Sequence, residues 1–407
     1  MRKKISVDDL LPGMYLDGVV GSWVKNPFWR ASFVVTDAAQ LALIRSSNIQ
    51  EVWIDSAKGL DLAPVSRPPL GDAGASPGPG DPVAVAALAV PIADELARAA
   101  EICARSRDAV ASMFREVRMG NAVDAQGVNQ VVQDITDSLA RNGHALISLA
   151  RLKTADDYTY LHSVAVCAMM AALARQLGMD EANIHAAGVA GLLHDMGKAL
   201  LPIEVLNKPG KLTTAEFAVI KSHPQRGHKL LAQSGNADPV ALDVCLHHHE
   251  KTDGSGYPEG LGGAQISLHA KMGAVCDVYD AITSNRPYKA GWDPSESIRM
   301  MGQWVDGHLD PAVFQAFAKS LGIYPVGSLV RLASGRIGVV VDQAPASLTT
   351  PRVKAFFDGN TLLRTTPEIV DLSLPGAMEK IIAREDPAKW NFADLSEMWS
   401  GLPAPGR

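Results

Sequence analysis

Nine of the eleven histidines in the 407-residue chain lie between His162 and His269, about a quarter of its length. Three are consecutive, in Leu246-His247-His248-His249-Glu250. They run into an acidic, glycine-rich turn, Thr252-Asp253-Gly254-Ser255-Gly256-Tyr257-Pro258. Upstream, His194-Asp195-Met196-Gly197-Lys198 brings an imidazole and a carboxylate to one point. Downstream stand Cys276-Asp277-Val278-Tyr279-Asp280 and Arg286-Pro287-Tyr288-Lys289. Neutral imidazoles and carboxylates concentrated in this way suit a divalent transition-metal cluster.

Helices must carry these side chains. Leu161, Val164, Val166, Ala168 and Met169 give the His162 segment an apolar packing face, and its helix is expected to begin near Asp156. A second apolar helix, through Val189 to Leu193, runs into His194 and Asp195 and weakens at Gly197. Leu212-Thr213-Thr214-Ala215-Glu216 reads as an N-cap with an acidic residue in the first turn, opening a helix towards His223. Pro224 should bend the backbone at His223, because a residue before proline is biased away from helical geometry. Leu242 to Glu250 is expected to be helical, as is Ser267 to Thr283, which carries Asp277.

The remainder of the chain has other textures. Residues 1–62 read as a small α+β unit. It has strands at Tyr15 to Val24, Ser32 to Val35 and Glu51 to Ile54, and a helix capped by Thr36 or Asp37 through Ile44. No cluster of histidine, cysteine or paired carboxylates assigns it chemistry. Residues 63–92 begin with Pro64, Pro68, Pro69, Gly71, Gly74, Pro77, Gly78, Pro79, Gly80 and Pro82, a composition that reads as a linker. Helical periodicity occupies residues 93–154, from Ala93 to Met119 and from Asp124 to Ala140. The chemistry-bearing domain is placed at 155–322. Residues 323–407 read as a β-rich cap, with strands at Ser328 to Ala333, Arg336 to Asp342 and Pro351 to Phe357.

Net charge is −6, which supplies no basic field for duplex nucleic acid. The apolar run Val83 to Ala93 is too short to span a bilayer and contains Pro91, so no membrane insertion is expected. Four scattered cysteines without a CxxC pair, and no signal-peptide pattern, point to a reduced, cytoplasmic setting.

Taken in order, these motifs resemble the HD-GYP family of phosphodiesterases, a branch of the HD phosphohydrolases, over roughly residues 155 to 322. The N-terminal unit resembles the domain of unknown function that often precedes them. The resemblance implies a mainly α protein with an all-helical HD-type catalytic domain. It also implies the substrate, cyclic di-GMP, opened to linear pGpG and cut further to GMP. By the family motif, His162, His194, Asp195 and Asp277 hold one metal, while Asp195 bridges to a second held by His223, His248 and His249. Two ions about 3.5–4 Å apart acidify a shared water and hold the phosphoryl oxygens, so that hydroxide attacks in line. Asp195 and Lys198 are the expected catalytic residues. Lys198, Tyr257, Arg286 and Lys289 are the expected substrate contacts.

Tyr158 stands where some family members carry a glutamate for a third metal, so two ions are expected. A donor set without thiolate suits iron or manganese first, and also zinc, nickel or cobalt. His247 is expected outside the ligand set, with Glu250 and Asp253 shaping the loop. The remaining histidines, His144, His185, His228 and His308, read as surface or satisfied core residues, and His269 as a candidate support for a ligand. Candidate partners beyond the nucleotide are a second copy of the chain and diguanylate-cyclase-type signalling proteins. The competing readings are a cyclic di-GMP receptor with little turnover and a phosphohydrolase for another cyclic dinucleotide.

Overall fold

The computed structural model describes residues 2–11, 13–19, 33–35, 41, 51–56, 58–60, 90–153, 158–208, 210–235, 237–284, 291–305, 307–344 and 347–402. The chain divides into two compact units, Met1–Gly80 and Asp81–Arg407. In the first, β1 (Arg2–Ser6), β2 (Tyr15–Val19), β3 (Phe33–Val34) and β4 (Glu51–Asp55) form an antiparallel sheet in the order β1-β4-β2-β3. Val52 and Ile54 alternate inward on β4 and meet Ile5, Leu10, Met14 and Leu16 in a small core of their own. The expected helix through Ile44, Leu41 apart, and the proline-rich stretch lie outside the described residues.

The second unit is mainly helical. Its helices begin with α1 (Ile92–Arg118), α2 (Ala125–Arg141), α3 (Ala145–Ala150), α4 (Tyr158–Gln176) and α5 (Glu181–Leu193). A 3₁₀ turn (Met196–Leu200) leads to α6 (Ile203–Leu206), α7 (Thr214–Lys221), α8 (His223–Gln233) and α9 (Pro239–His247). Then come α10 (Leu268–Thr283), α11 (Pro294–Gln303) and α12 (Pro311–Leu321). Every residue of α4 from Val164 to Ala171 is buried, as expected of a helix surrounded by others. Side-chain caps set several helix starts. Thr213 and Glu216 form a reciprocal capping box on α7, and the Ser267 hydroxyl accepts from the Ala270 N–H on α10.

Five antiparallel strands follow: β5 (Leu329–Leu332), β6 (Arg336–Ala344), β7 (Ser347–Asp358), β8 (Leu363–Asp371) and β9 (Ile381–Arg384), in the order β8-β7-β6-β5-β9. The sequence reading found β5 to β7 and missed both edge strands. β8 is exposed along most of its length and shows no alternating pattern. One face of the sheet, with Ile337, Val339 and Val341, joins the helical core. The other packs Val330, Leu332, Val340 and Val353 into a smaller cluster. Beyond it lie α13 (Pro387–Trp390) and α14 (Leu395–Ser400). No helix among the described residues is long and apolar enough to cross a membrane.

Two glycines let backbones meet where the site is built. A Cβ on Gly191 of α5 would lie 2.9 Å from the Cys167 Cα of α4. A Cβ on Gly197 would overlap the His223 carbonyl oxygen at the start of α8. The His194-Asp195 corner is thus pressed against both helices. Gly197→Ala should cost about 1–3 kcal/mol, because backbone rather than a movable side chain blocks the methyl. The urea midpoint of the full chain measures this, and a wild-type midpoint would show that the contact opens freely.

Candidate metal centre

Helix ends deliver most of the candidate ligands. His162 projects from the first turns of α4. His194 is the C-cap of α5 and Asp195 the N-cap of the 3₁₀ turn. His248 is the C-cap of α9, and His249 lies just beyond it. Asp277 comes from the interior of α10. At His223 the structure corrects the sequence reading. The break falls one residue earlier, at Ser222, and His223 is the first residue of α8. Pro224 then occupies the first turn, where its missing N–H costs no helical bond.

These side chains converge. Asp195 Oδ2 lies 3.3 Å from His162 Nε2 and 3.3 Å from His194 Nε2. Its other oxygen, Oδ1, lies 3.1 Å from His223 Nε2 and 3.8 Å from His248 Nε2. Asp277 Oδ1 stands 3.1 Å from His162 Nε2, and its Oδ2 stands 3.8 Å from His249 Nδ1. Three overlapping groups result: His162, His194 and Asp277; His194, Asp195 and His248; His223, His248 and His249. Within each group the ligand atoms lie within 4.8 Å of one another. Among the described residues, His144, His185, His228, His269 and His308 join none of them.

The outward nitrogens set the ring tautomers. Nδ1 of His194 donates to the Gly191 carbonyl at 2.8 Å, that of His223 to Ile220 at 2.7 Å, and that of His248 to Val244 at 2.9 Å. A neutral imidazole with its proton on Nδ1 presents a bare lone pair at Nε2. Three such lone pairs face a carboxylate, and two of them, on His223 and His248, stand 3.3 Å apart. Asp195 Oδ1 is buried and accepts no hydrogen bond. Lone pairs crowded together without protons repel, and a divalent cation between them turns that repulsion into ligation. The residues therefore fit a metal.

His162 differs, because its Nδ1 meets a carboxylate, Asp280 Oδ2, at 2.6 Å. Burial alone would lower its pKa, but Asp195, Asp277 and Asp280 outweigh burial and lift it to about 10. Positive charge is favoured at this point, as proton or as cation. Burial opposes charge on Asp195 and Asp277, yet Lys198 beside Asp195 and the imidazoles around both hold them well below the usual carboxylate range. Burial, then neighbouring imidazoles, pushes His248 down. Burial takes His249 to about 3, so both rings stay neutral.

Behind Asp280 stands Lys153, a buried ammonium hydrogen-bonded to the same Oδ2. Asp280 lies three residues on from Asp277 on the same helix. Lys153 was missed, since 127 residues separate it from its partner.

The rim has its own order. Lys198 hydrogen-bonds Asp195 Oδ2. The 3₁₀ turn aligns it with Asp195, three residues back, rather than with His194. Tyr257 stacks on His249, with ring centroids 4.7 Å apart and planes at 27°. His247 turns aside to bind Asp243 at 2.7 Å. Glu250 Oε1 accepts from the Glu259 and Gly260 amides at 2.7 and 3.1 Å, and Asp253 accepts from Ser255, so both carboxylates shape the loop. Arg286 and Lys289 lie outside the described residues, as does the side chain of Tyr158.

A helical bundle closed around a buried His/Asp nest defines an HD-type phosphohydrolase. The sequence matches the HD domain family over residues 135–313 and a domain of unknown function, DUF3391, over residues 2–128. It is 50% identical to the cyclic di-GMP phosphodiesterase PA4108 of Pseudomonas aeruginosa, over 99% of this chain and 96% of that protein. It is 37% identical to 3'3'-cGAMP-specific phosphodiesterase 1 of Vibrio cholerae, over 40% of this chain and 38% of that one. Among solved structures, the HDG"Y"P protein Bd1817 of Bdellovibrio bacteriovorus aligns with a TM-score of 0.46 at 15% identity, covering 78% of this chain and 99% of that one. The chain belongs to the HD-GYP family of phosphodiesterases.

Asp280→Asn should weaken metal retention by about 10- to 100-fold, the usual cost of losing a partner behind a ligating histidine. Metal per chain across a graded chelator series measures it. Retention equal to wild type would remove Asp280 from the site.

Proposed function

We propose that this chain hydrolyses cyclic di-GMP to linear pGpG, with a further cut to GMP, at a two-ion centre. The observation that carries the reading is Asp195, whose two oxygens face separate histidine groups. In this reading His162, His194, Asp195 and Asp277 hold one ion, and Asp195, His223, His248 and His249 hold the other. Iron or manganese suits the donor set best, with zinc, nickel and cobalt as further fits. The full-length likeness to a cyclic di-GMP phosphodiesterase supports the nucleotide assignment. The setting that suits this chemistry is the cytoplasm.

Divalent ions there supply Lewis acidity, favouring ionised water and neutralising phosphoryl charge. Hydrolysis adds water across the P–O3′ bond, oxygen to phosphorus and hydrogen to the leaving oxygen. Lys198, held at the rim by Asp195, gives its proton to the departing 3′ oxygen and is reprotonated from solvent, which takes up the proton lost by the attacking water. Tyr257 keeps its phenol protonated, because burial raises its pKa, and it presents a ring edge and a hydroxyl to the nucleotide. Arg286 and Lys289 are assigned to the phosphates through the family motif.

The test is to incubate purified, metal-assayed protein with cyclic di-GMP and follow products by chromatography. The expected result is pGpG from wild type, and from Asp195→Ala no product above the buffer blank together with a depleted metal content. Binding without product from metal-loaded wild type would convert the reading into a receptor. Faster turnover of 3'3'-cGAMP than of cyclic di-GMP would move the substrate to the mixed dinucleotide.

A further inference from the structure

We propose that Lys221 and Phe217 on α7, together with Tyr257, form a subsite for the uncut half of a cyclic dinucleotide, with Lys221 on the second phosphate and Phe217 beneath its base. The inference rests on the cyclic dinucleotide reading above and deepens it.

Part of the nest reaches the surface. The side chains of His162, His194, Asp195, His223 and His248 are buried, whereas His249 and Lys198 are 24% and 22% exposed. Tyr257 lies over the exposed His249 ring. Tyr257 thus borders the exposed edge of the nest. Lys221 stands at that edge, its Nζ 5.3 Å from the Tyr257 ring centroid and 5.1 Å from that of Phe217. Lys221 is exposed, and no carboxylate among the described residues pairs with it. Phe217, four residues before Lys221 on the same helix, is 47% exposed.

The substrate class supplies the matching need. A cyclic dinucleotide carries two phosphodiesters in one ring, and only one at a time can occupy the nest. The other is held one nucleoside away, where a cation in addition to those assigned to the phosphates above would steady it. A cation resting on an exposed ring is loosely held, and a phosphate offers a stronger, charge-assisted bond. Lys221 ends α7 two residues before His223, so its backbone is fixed relative to the nest. Bases stack on aromatic faces whatever their identity, which suits Phe217 to either purine.

The experiment compares cyclic di-GMP with bis(p-nitrophenyl) phosphate, a diester lacking a second nucleotide. Its readout is the ratio of kcat/KM for the first substrate to that for the second. Lys221→Ala should lower this ratio about tenfold, chiefly through KM, with metal content as in wild type. Lys221→Gln should behave the same way, and Lys221→Arg should restore most of the ratio. Phe217→Ala should lower it by a smaller factor. An unmoved ratio in Lys221→Ala and Lys221→Gln, with wild type cleaving both substrates, overturns the subsite alone. A wild type that cleaves the nitrophenyl diester but neither binds nor cleaves the dinucleotide overturns the substrate reading, and the subsite with it.

Discussion

A carboxylate and three imidazole lone pairs meet among buried side chains around Asp195. Protons that would relieve their repulsion are spent elsewhere, because the Nδ1 atoms of His194, His223 and His248 donate to backbone carbonyls. A fold that leaves this arrangement bare holds unsatisfied charge and lone pairs in a low dielectric, which costs several kcal/mol unless a cation enters. Much of the helical unit serves to impose that geometry.

Helix termini are the device. The carbonyls of Gly191, Ile220 and Val244 lie in the last turns of α5, α7 and α9. Each accepts a histidine ring N–H from three or four residues further on, which fixes the orientation of that ring. The shift from α-helix to 3₁₀ turn after Leu193 places Asp195 at the corner, with Lys198 one short turn beyond. Gly197 allows that corner to touch the backbone of α8, which brings His223 to the opposite oxygen of Asp195.

A short segment after α3 connects distant parts of the same unit. Arg151 donates to the Val326 carbonyl at 3.0 Å and lies over the Trp399 ring, on the approach to the C-terminal sheet. Two residues later, Lys153 holds Asp280, which holds His162. The β-rich segment is packed into the helical core through Ile337, Val339 and Val341, so the sheet and the nest share one support. The carboxylate behind His162 also fixes that ring, leaving Nε2 for the centre.

The sequence alone determined the order of the motifs, the residue types of the nest and much of the helical framework. These rest on signals acting over a few residues: the N-cap stretch Leu212 to Glu216 and the apolar periodicity of α1 and α2. Tertiary structure decided what depends on distance through space. It put Lys153 behind Asp280 and Lys221 over Tyr257, and chose which Asp195 oxygen faces which histidines. It moved the helix break to Ser222 and paired the exposed strand β8, whose residues carry no inward pattern to read. The physical reason is one of range. Caps and turns are energies of neighbouring residues, whereas the meeting of a buried lysine with a carboxylate 127 positions away is set only when the helices between them pack.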